Sequence, residues 1–262
     1  MSIKTTITAF LLLISIVTTG QTETEINKTD PQGRKQGHWI KKYPNQSIMY
    51  DGYFKDNHPT GEFKRYDEYQ TLESILIFDD NGTDAAATTY HPNGYIASKG
   101  KYINQMKEGK WQFFSISVNG YMICEEYYTK NKRNGQSVKF YPDSTVGERV
   151  TYSDDIKQGE WIKYYPSGVI CLRSSYQDGK INGKFEVWYE NGQIEFSGQY
   201  KNDLRDGLWY IYNEDGTTKY KLEYKDGITT DRQMDIDASD YLDSLDRNKG
   251  KVADPEKTGA MW

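Results

Sequence analysis

Aromatic side chains at a fixed spacing are the groups in this chain whose types and pattern point to chemistry, and that chemistry is recognition. Trp161, Tyr164 and Tyr165 lie close together; Trp188 and Tyr189 repeat the last two 24 residues on, and Trp209 and Tyr212 continue the series. Such rings offer a large, stiff contact area and keep a polar handle, which enriches them at protein interfaces. These seven residues are the candidate partner-binding set. Groups suited to reaction chemistry are not arranged for it. His38, His58 and His91 occupy unrelated places and form no ligand spacing for a metal. No nucleophile elbow, phosphate loop or zinc-protease motif occurs. The Glu125-Glu126 pair reads as charge on a solvated strand rather than as the two carboxylates of a glycosidase. The expectation is a non-enzymatic chain with no catalytic residue, no cofactor and no metal.

The elements that must hold these rings are legible in the glycines. Gly37, Gly61, Gly109, Gly135, Gly159, Gly183 and Gly207 keep a beat of about 24 residues, and a copy with Ala85 in place of its glycine fills the one double gap, giving eight copies. Two residues after this position stand Trp39, Phe63, Ala87, Trp111, Ser137, Trp161, Phe185 and Trp209. Five after it the residues are mostly Tyr, Phe or Trp, and seven before the next glycine all eight copies carry Tyr or Phe. Asn93-Gly94, Asn119-Gly120, Ser167-Gly168, Asn191-Gly192 and Asp215-Gly216 mark one turn per copy, and an Asp/Asn column marks the other. Aromatic and β-branched runs of about six residues lie between the turns. Each copy is therefore a β-hairpin, and the array is an all-β, elongated, single-layer antiparallel sheet over residues 30–231. Sixteen strands at about 4.8 Å spacing give roughly 70 Å. Positions two and five after the glycine belong on opposite sides of a regular strand, so either both faces carry aromatics or the strand bends.

The flanks differ in character. Lys4, an apolar run from Ile7 to Val17, and Thr18-Thr19-Gly20 read as a signal peptide over 1–20, followed by a linker over 21–29. The apolar run is too short to span a bilayer, and no cysteine stands at the junction to accept a lipid. The mature chain is expected to be exported, periplasmic or secreted, and soluble, with no transmembrane segment. A net charge of −5 with interspersed signs argues against a nucleic-acid partner. Ala238, Tyr241, Leu242 and Leu245 follow helical spacing, so a short capping helix is expected over 232–250 and a disordered tail over 251–262. Asp235, Asp237, Ser239, Asp243 and Asp246 imitate the oxygen spacing of a calcium loop, but Asp240 replaces its glycine and Asp246 its final glutamate. Cys124 and Cys171 lie two copies apart, too far along a linear sheet for a bridge, and are expected to be free thiols.

The run Gly159-Glu160-Trp161-Ile162-Lys163-Tyr164-Tyr165-Pro166-Ser167-Gly168, with Tyr200 to Gly207 as its second half, resembles the MORN-repeat variant family, including proteins labelled YwqK-family antitoxins. The resemblance covers roughly Asp30 to Asp231, with departures at Ala85, at Ser137 and in the insertion around Ser115 to Val118. It implies a sheet of hairpins used as a binding or scaffolding surface. The runs at Gly109 and Gly207 also look like choline- or glucan-binding repeats, whose aromatics stack on sugars or cations. The leading expectation is an exported scaffold that binds another protein; the alternatives are a glycan-binding or cell-wall-binding protein and an antitoxin or immunity-type protein.

Overall fold

The computed structural model describes residues 25–229 together with 231, 233, 235, 236, 239 and 240. The expected signal peptide, the start of the linker, most of the capping helix and the whole 251–262 tail lie outside the described residues. Among those described, nineteen strands form, three of them only two residues long. The other sixteen are the eight hairpins that the repeat predicts, from Lys35–Lys42 and Ile48–Lys55 to Leu204–Tyr212 and Thr218–Lys225. Every strand pairs antiparallel with its neighbours in sequence, as Val146–Ser153, Ile156–Tyr164 and Ile170–Gln177 do. The result is one open meander. Lys28–Thr29 and Ile228–Thr229 add short strands at its two ends.

The two turns of each copy differ in kind. At the Asp/Asn column, pairs such as Asp56-Asn57, Asp154-Asp155 and Asn202-Asp203 place both residues at positive φ, 49° and 69° for Asp154 and Asp155. This is the two-residue type I′ connection, whose twist matches the strands it joins, and Asx residues tolerate it best. At the other end Gly168 N–H donates to Tyr165 C=O at 2.8 Å and Tyr165 N–H to Val169 C=O at 2.8 Å. Only the glycine of the Ser-Gly step takes positive φ there, +82° for Gly168, as in a type I turn closed by one left-handed residue. Gln46, Gln70 and Ser144 hold the same place at φ of 71°, 66° and 71° without being glycine.

The repeat glycine marks a bulge. Thr151 faces Gln158 while Val150 faces Trp161, so Gly159 and Glu160 are extra residues against the preceding strand. Gly159 takes φ +71° and nothing lies within 4 Å of a Cβ built on it, so backbone conformation rather than crowding demands the glycine. The Ala85 copy makes the converse case. Its strand Asp84–Tyr90 pairs with Leu72–Phe78 without a shift in register, because no residue there has to be left-handed.

Both faces carry aromatics, and the parity question resolves that way. Trp161 and Lys163 share one face, where Lys163 Nζ lies 5.2 Å from the indole centroid. Tyr164 belongs to the other, with Ile162. Across the first face, here the core face, large and small residues alternate from strand to strand. Gly52 opposes Phe63, Ser174 opposes Trp161, and Gly198 lies between Phe185 and Trp209. Phe63 lies flat on Gly52 and Trp209 on Gly198. Tyr102, Tyr128, Tyr176, Tyr200 and Tyr224 pack edge-on or tilted against these rings, at 4.9 Å between the centroids of Tyr102 and Trp111 and 5.1 Å between those of Tyr200 and Trp209. Three apolar clusters follow, centred on Trp111, Trp161 and Trp209.

Candidate functional site

The candidate set divides between the two faces. Trp161 and Trp209 are core residues, 9% and 3% exposed. Their indole N–H groups are used internally, Trp161 donating to Glu148 Oε1 at 2.7 Å and Trp209 to the Gln199 carbonyl at 3.1 Å. Tyr164, Trp188 and Tyr212 are half-buried on the outer face. Tyr210 stacks on Tyr212 there at 6.1 Å between centroids, and Arg149 and Lys221 reach over Tyr164 and Tyr210 at 5.8 and 5.7 Å. The outer face thus carries a row of rings with basic neighbours.

Tyr165 and Tyr189 do a different job. The Tyr165 hydroxyl donates to the Trp188 carbonyl at 2.7 Å and the Tyr189 hydroxyl to the Tyr212 carbonyl at 2.8 Å. Tyr43 and Tyr141 make the same bond, and His91 Nε2 contacts the Phe114 carbonyl at 3.0 Å, each reaching 23 residues ahead. This tyrosine staples one hairpin to the next. Burial pushes the Tyr165 phenol up to about 12, so the donor keeps its proton at any physiological pH. At the opposite end of the hairpins the type I′ turns are stitched too. Asp155 N–H donates to the Arg133 carbonyl at 2.9 Å, and Arg133 N–H donates to Asp155 Oδ1 at 2.9 Å. Asp203 and Ile181 repeat the exchange at 2.9 and 2.6 Å.

A column that the sequence reading missed completes the core face. The residue two before the repeat position is Lys35, Lys107, Arg133, Lys157 and Arg205 in five copies, and each is laid over rings. Lys107 Nζ sits 4.9 Å from the centroids of Trp111, Phe113 and Tyr128. Arg133 lies 4.2 Å from Tyr152 and Lys157 4.9 Å from Tyr176. With no second layer among the described residues, these long stems and heads close the aromatic face from solvent. Burial lowers the Lys107 ammonium pKa in the process. The signal was present in the sequence as a basic residue with the same 24-residue period.

The Ser137 copy replaces its ring with charge. Glu126, 4% exposed, fills the space and accepts from the Tyr128 hydroxyl at 2.6 Å and the Ser137 hydroxyl at 3.3 Å. Glu148 accepts from Trp161 and pairs with Lys139 at 3.2 Å. Burial alone would raise the Glu148 carboxyl, but the charges of Lys139 and Lys163 and the indole N–H outweigh it and hold the group below its ordinary value. Glu125 and Glu126 point to opposite faces, since adjacent strand residues alternate, and only Glu125 fits the reading of a charge on a solvated face. Lys110 pairs with Glu125 at 2.9 Å.

Hairpins of one length, stapled at fixed offsets, make a tandem repeat, and comparison places its type. Residues 157–178, 181–202 and 205–226 match the MORN repeat variant. The match covers the last three of the stapled units, where Trp161, Phe185 and Trp209 occupy the ring position without a gap. Of the five copies before it, three carry Ala85, the Ser115–Val118 insertion and Ser137. Comparison with curated proteins gives no match. Among the described residues no three His, Cys, Asp or Glu side chains come together to hold a metal ion. Cys124 is buried, Cys171 is half-buried, and neither forms a disulfide. Asp235 of the acidic tail accepts from the Tyr224 hydroxyl and lies 3.4 Å from Arg205, against the last hairpin.

Proposed function

We propose that this chain is a non-enzymatic, exported repeat scaffold that binds another protein through the outer face of its MORN-type copies. The observation that supports this reading is the row of Tyr164, Trp188 and Tyr212, half-exposed and stiffened from behind by a buried core face. A rigid sheet presenting aromatic rings with Arg149 and Lys221 beside them suits a protein surface with apolar and acidic groups, because little conformational freedom is lost on contact. Trp161 and Trp209 serve this reading as support, not as contacts. Export rests on the sequence of residues 1–20. An immunity-type role outside the cytoplasm is a narrower form of the same proposal, distinguished by a toxin gene next to this one.

The test is affinity capture from an envelope fraction of the native cell, comparing the wild-type chain with a Trp188→Ala, Tyr212→Ala variant. A specific protein retained by the first and lost by the second, with unchanged circular dichroism, supports the proposal. Equal capture by both, or none by either, refutes the outer face as the contact surface.

A further inference from the structure

The second and third copies are short of side chains at one place on the core face. Four residues after the repeat position, other copies set large pairs across the strands: Lys163 with Leu172, Val187 with Phe196 and Ile211 with Tyr220. Here Thr89 faces Ser98. At the end of the same row Asp67 stands where Tyr43, Tyr141, Tyr165 and Tyr189 stand in other copies. A carboxylate has no proton to give to the Tyr90 carbonyl, and Asp67 accepts instead from the Tyr69 and Thr71 N–H groups at 2.9 and 2.8 Å. A cavity of about 360 Å³ opens over these positions. That is within the ~300–1,000 Å³ of small-ligand sites.

The walls are mixed in a particular way. Phe113, 3% exposed, and Tyr102 are the core-face rings of the lining, with Trp111 beneath. Thr89 Oγ1 and Ser98 Oγ lie 2.7 Å apart on the floor, each with hydrogen-bonding capacity beyond that one contact. Lys107 brings one ammonium to the inner side, held over the rings, while Asp67 and Glu73 bring two carboxylates. An anionic ligand meets Asp67 and Glu73; a cationic one meets Lys107. A neutral ligand dense in hydroxyls satisfies both signs at once, giving protons to the carboxylates and accepting from the ammonium. Its C–H faces pack on the rings. That combination is a saccharide.

We propose that this cleft is a binding site for a neutral saccharide, a site separate from the outer face and independent of any protein partner. The test is saturation-transfer NMR on the full chain with maltose, cellobiose, lactose and N,N′-diacetylchitobiose in turn. Transfer from at least one of them at millimolar affinity is expected, with glucuronate and glucosamine binding more weakly. Asp67→Tyr restores the staple to the Tyr90 carbonyl and closes the cavity, so it is expected to weaken binding at least ~10-fold without lowering the melting temperature. Glu73→Gln, at an exposed rim position, keeps the fold and is expected to weaken binding several-fold. No transfer from any of the four sugars, undiminished binding by both variants, or tighter binding of the acidic or amino sugar overturns the proposal.

Discussion

The flat contact between Gly198 and Trp209 sets up a reversal of sign that stability measurements can detect. A Cβ on Gly198 would lie 2.2 Å from Trp209 Cδ2 and 2.4 Å from Cε2. Carbon atoms in contact sit about 3.5–4.0 Å apart, so the indole has to retreat by about 1.3 Å or more. It has nowhere to go: Phe185, Tyr200 and Tyr224 surround it at 5.8, 5.1 and 6.2 Å between centroids, and only 3% of it is exposed. Gly198→Ala should therefore destabilise the array by about 1–3 kcal/mol, the cost of overpacking. In a Trp209→Ala background the obstruction is gone, and the same substitution should stabilise by about 0.5–1 kcal/mol, because alanine loses less freedom than glycine on entering a strand. The coupling between the two sites is then about 1.5–4 kcal/mol. Urea titration of the four variants measures it. Because a repeat array can unfold in segments, hydrogen exchange of the amides in Ile194–Lys201 provides the local readout. A Gly198→Ala variant as stable as wild type, or an equal effect in both backgrounds, refutes the packing argument.

Other perturbations have equally definite outcomes. Tyr165→Phe and Tyr189→Phe each remove one staple and should each cost about 1 kcal/mol in denaturant unfolding, with additive effects in the double variant only if the two staples act independently. Gln46→Gly and Ser144→Gly relieve a left-handed conformation whose cost to an L-residue is about 1–2 kcal/mol. After the entropy lost by glycine a net gain of about 0.5 kcal/mol is expected, read as a higher melting temperature. Glu148 has a depressed pKa in the fold, so its contribution is present above the unfolded carboxylate value of about 4.3 and is lost as pH falls through the lower folded value. The wild-type chain should lose stability across that acid window, and a Glu148→Gln variant should show a shallower fall over the same range in pH-dependent thermal melts.

Much of the architecture was readable because it repeats. The 24-residue beat gave the hairpins, the turns and the meander, and the absence of a Cys124–Cys171 bridge followed from sheet geometry. Periodicity could not say which aromatic column was inside. Trp161 and Tyr164 differ by an odd number of residues, which puts them on opposite faces but does not label the faces. That label comes from the small residues across the strand, Ser174 beside Trp161 and Gly198 beside Trp209, and cross-strand neighbours depend on the bulge at each repeat glycine. The glycines themselves fall into two physical classes that look alike in sequence. Gly159 is needed for its φ, whereas Gly198 is needed because a ring lies on it. Tyr165 and Tyr189 looked like contact residues since a hydroxyl aimed at a carbonyl 23 residues ahead leaves no local pattern. The cleft was the least accessible to sequence reasoning, arising from a cross-strand pair, Thr89 with Ser98, and from what Asp67 fails to do.

A meander in which each strand bonds only to its sequence neighbours has a mechanical consequence. The two ends of the described array lie at opposite edges of the sheet, so tension applied through them acts across the strands and loads the hydrogen-bonded ladders one after another instead of all together. The staples from Tyr165 to Trp188 and from Tyr189 to Tyr212 sit at the seams where that load arrives. Such a molecule yields in steps of one hairpin at low force and recloses one hairpin at a time, behaving under strain as an extensible tether whose remaining copies keep their surface intact.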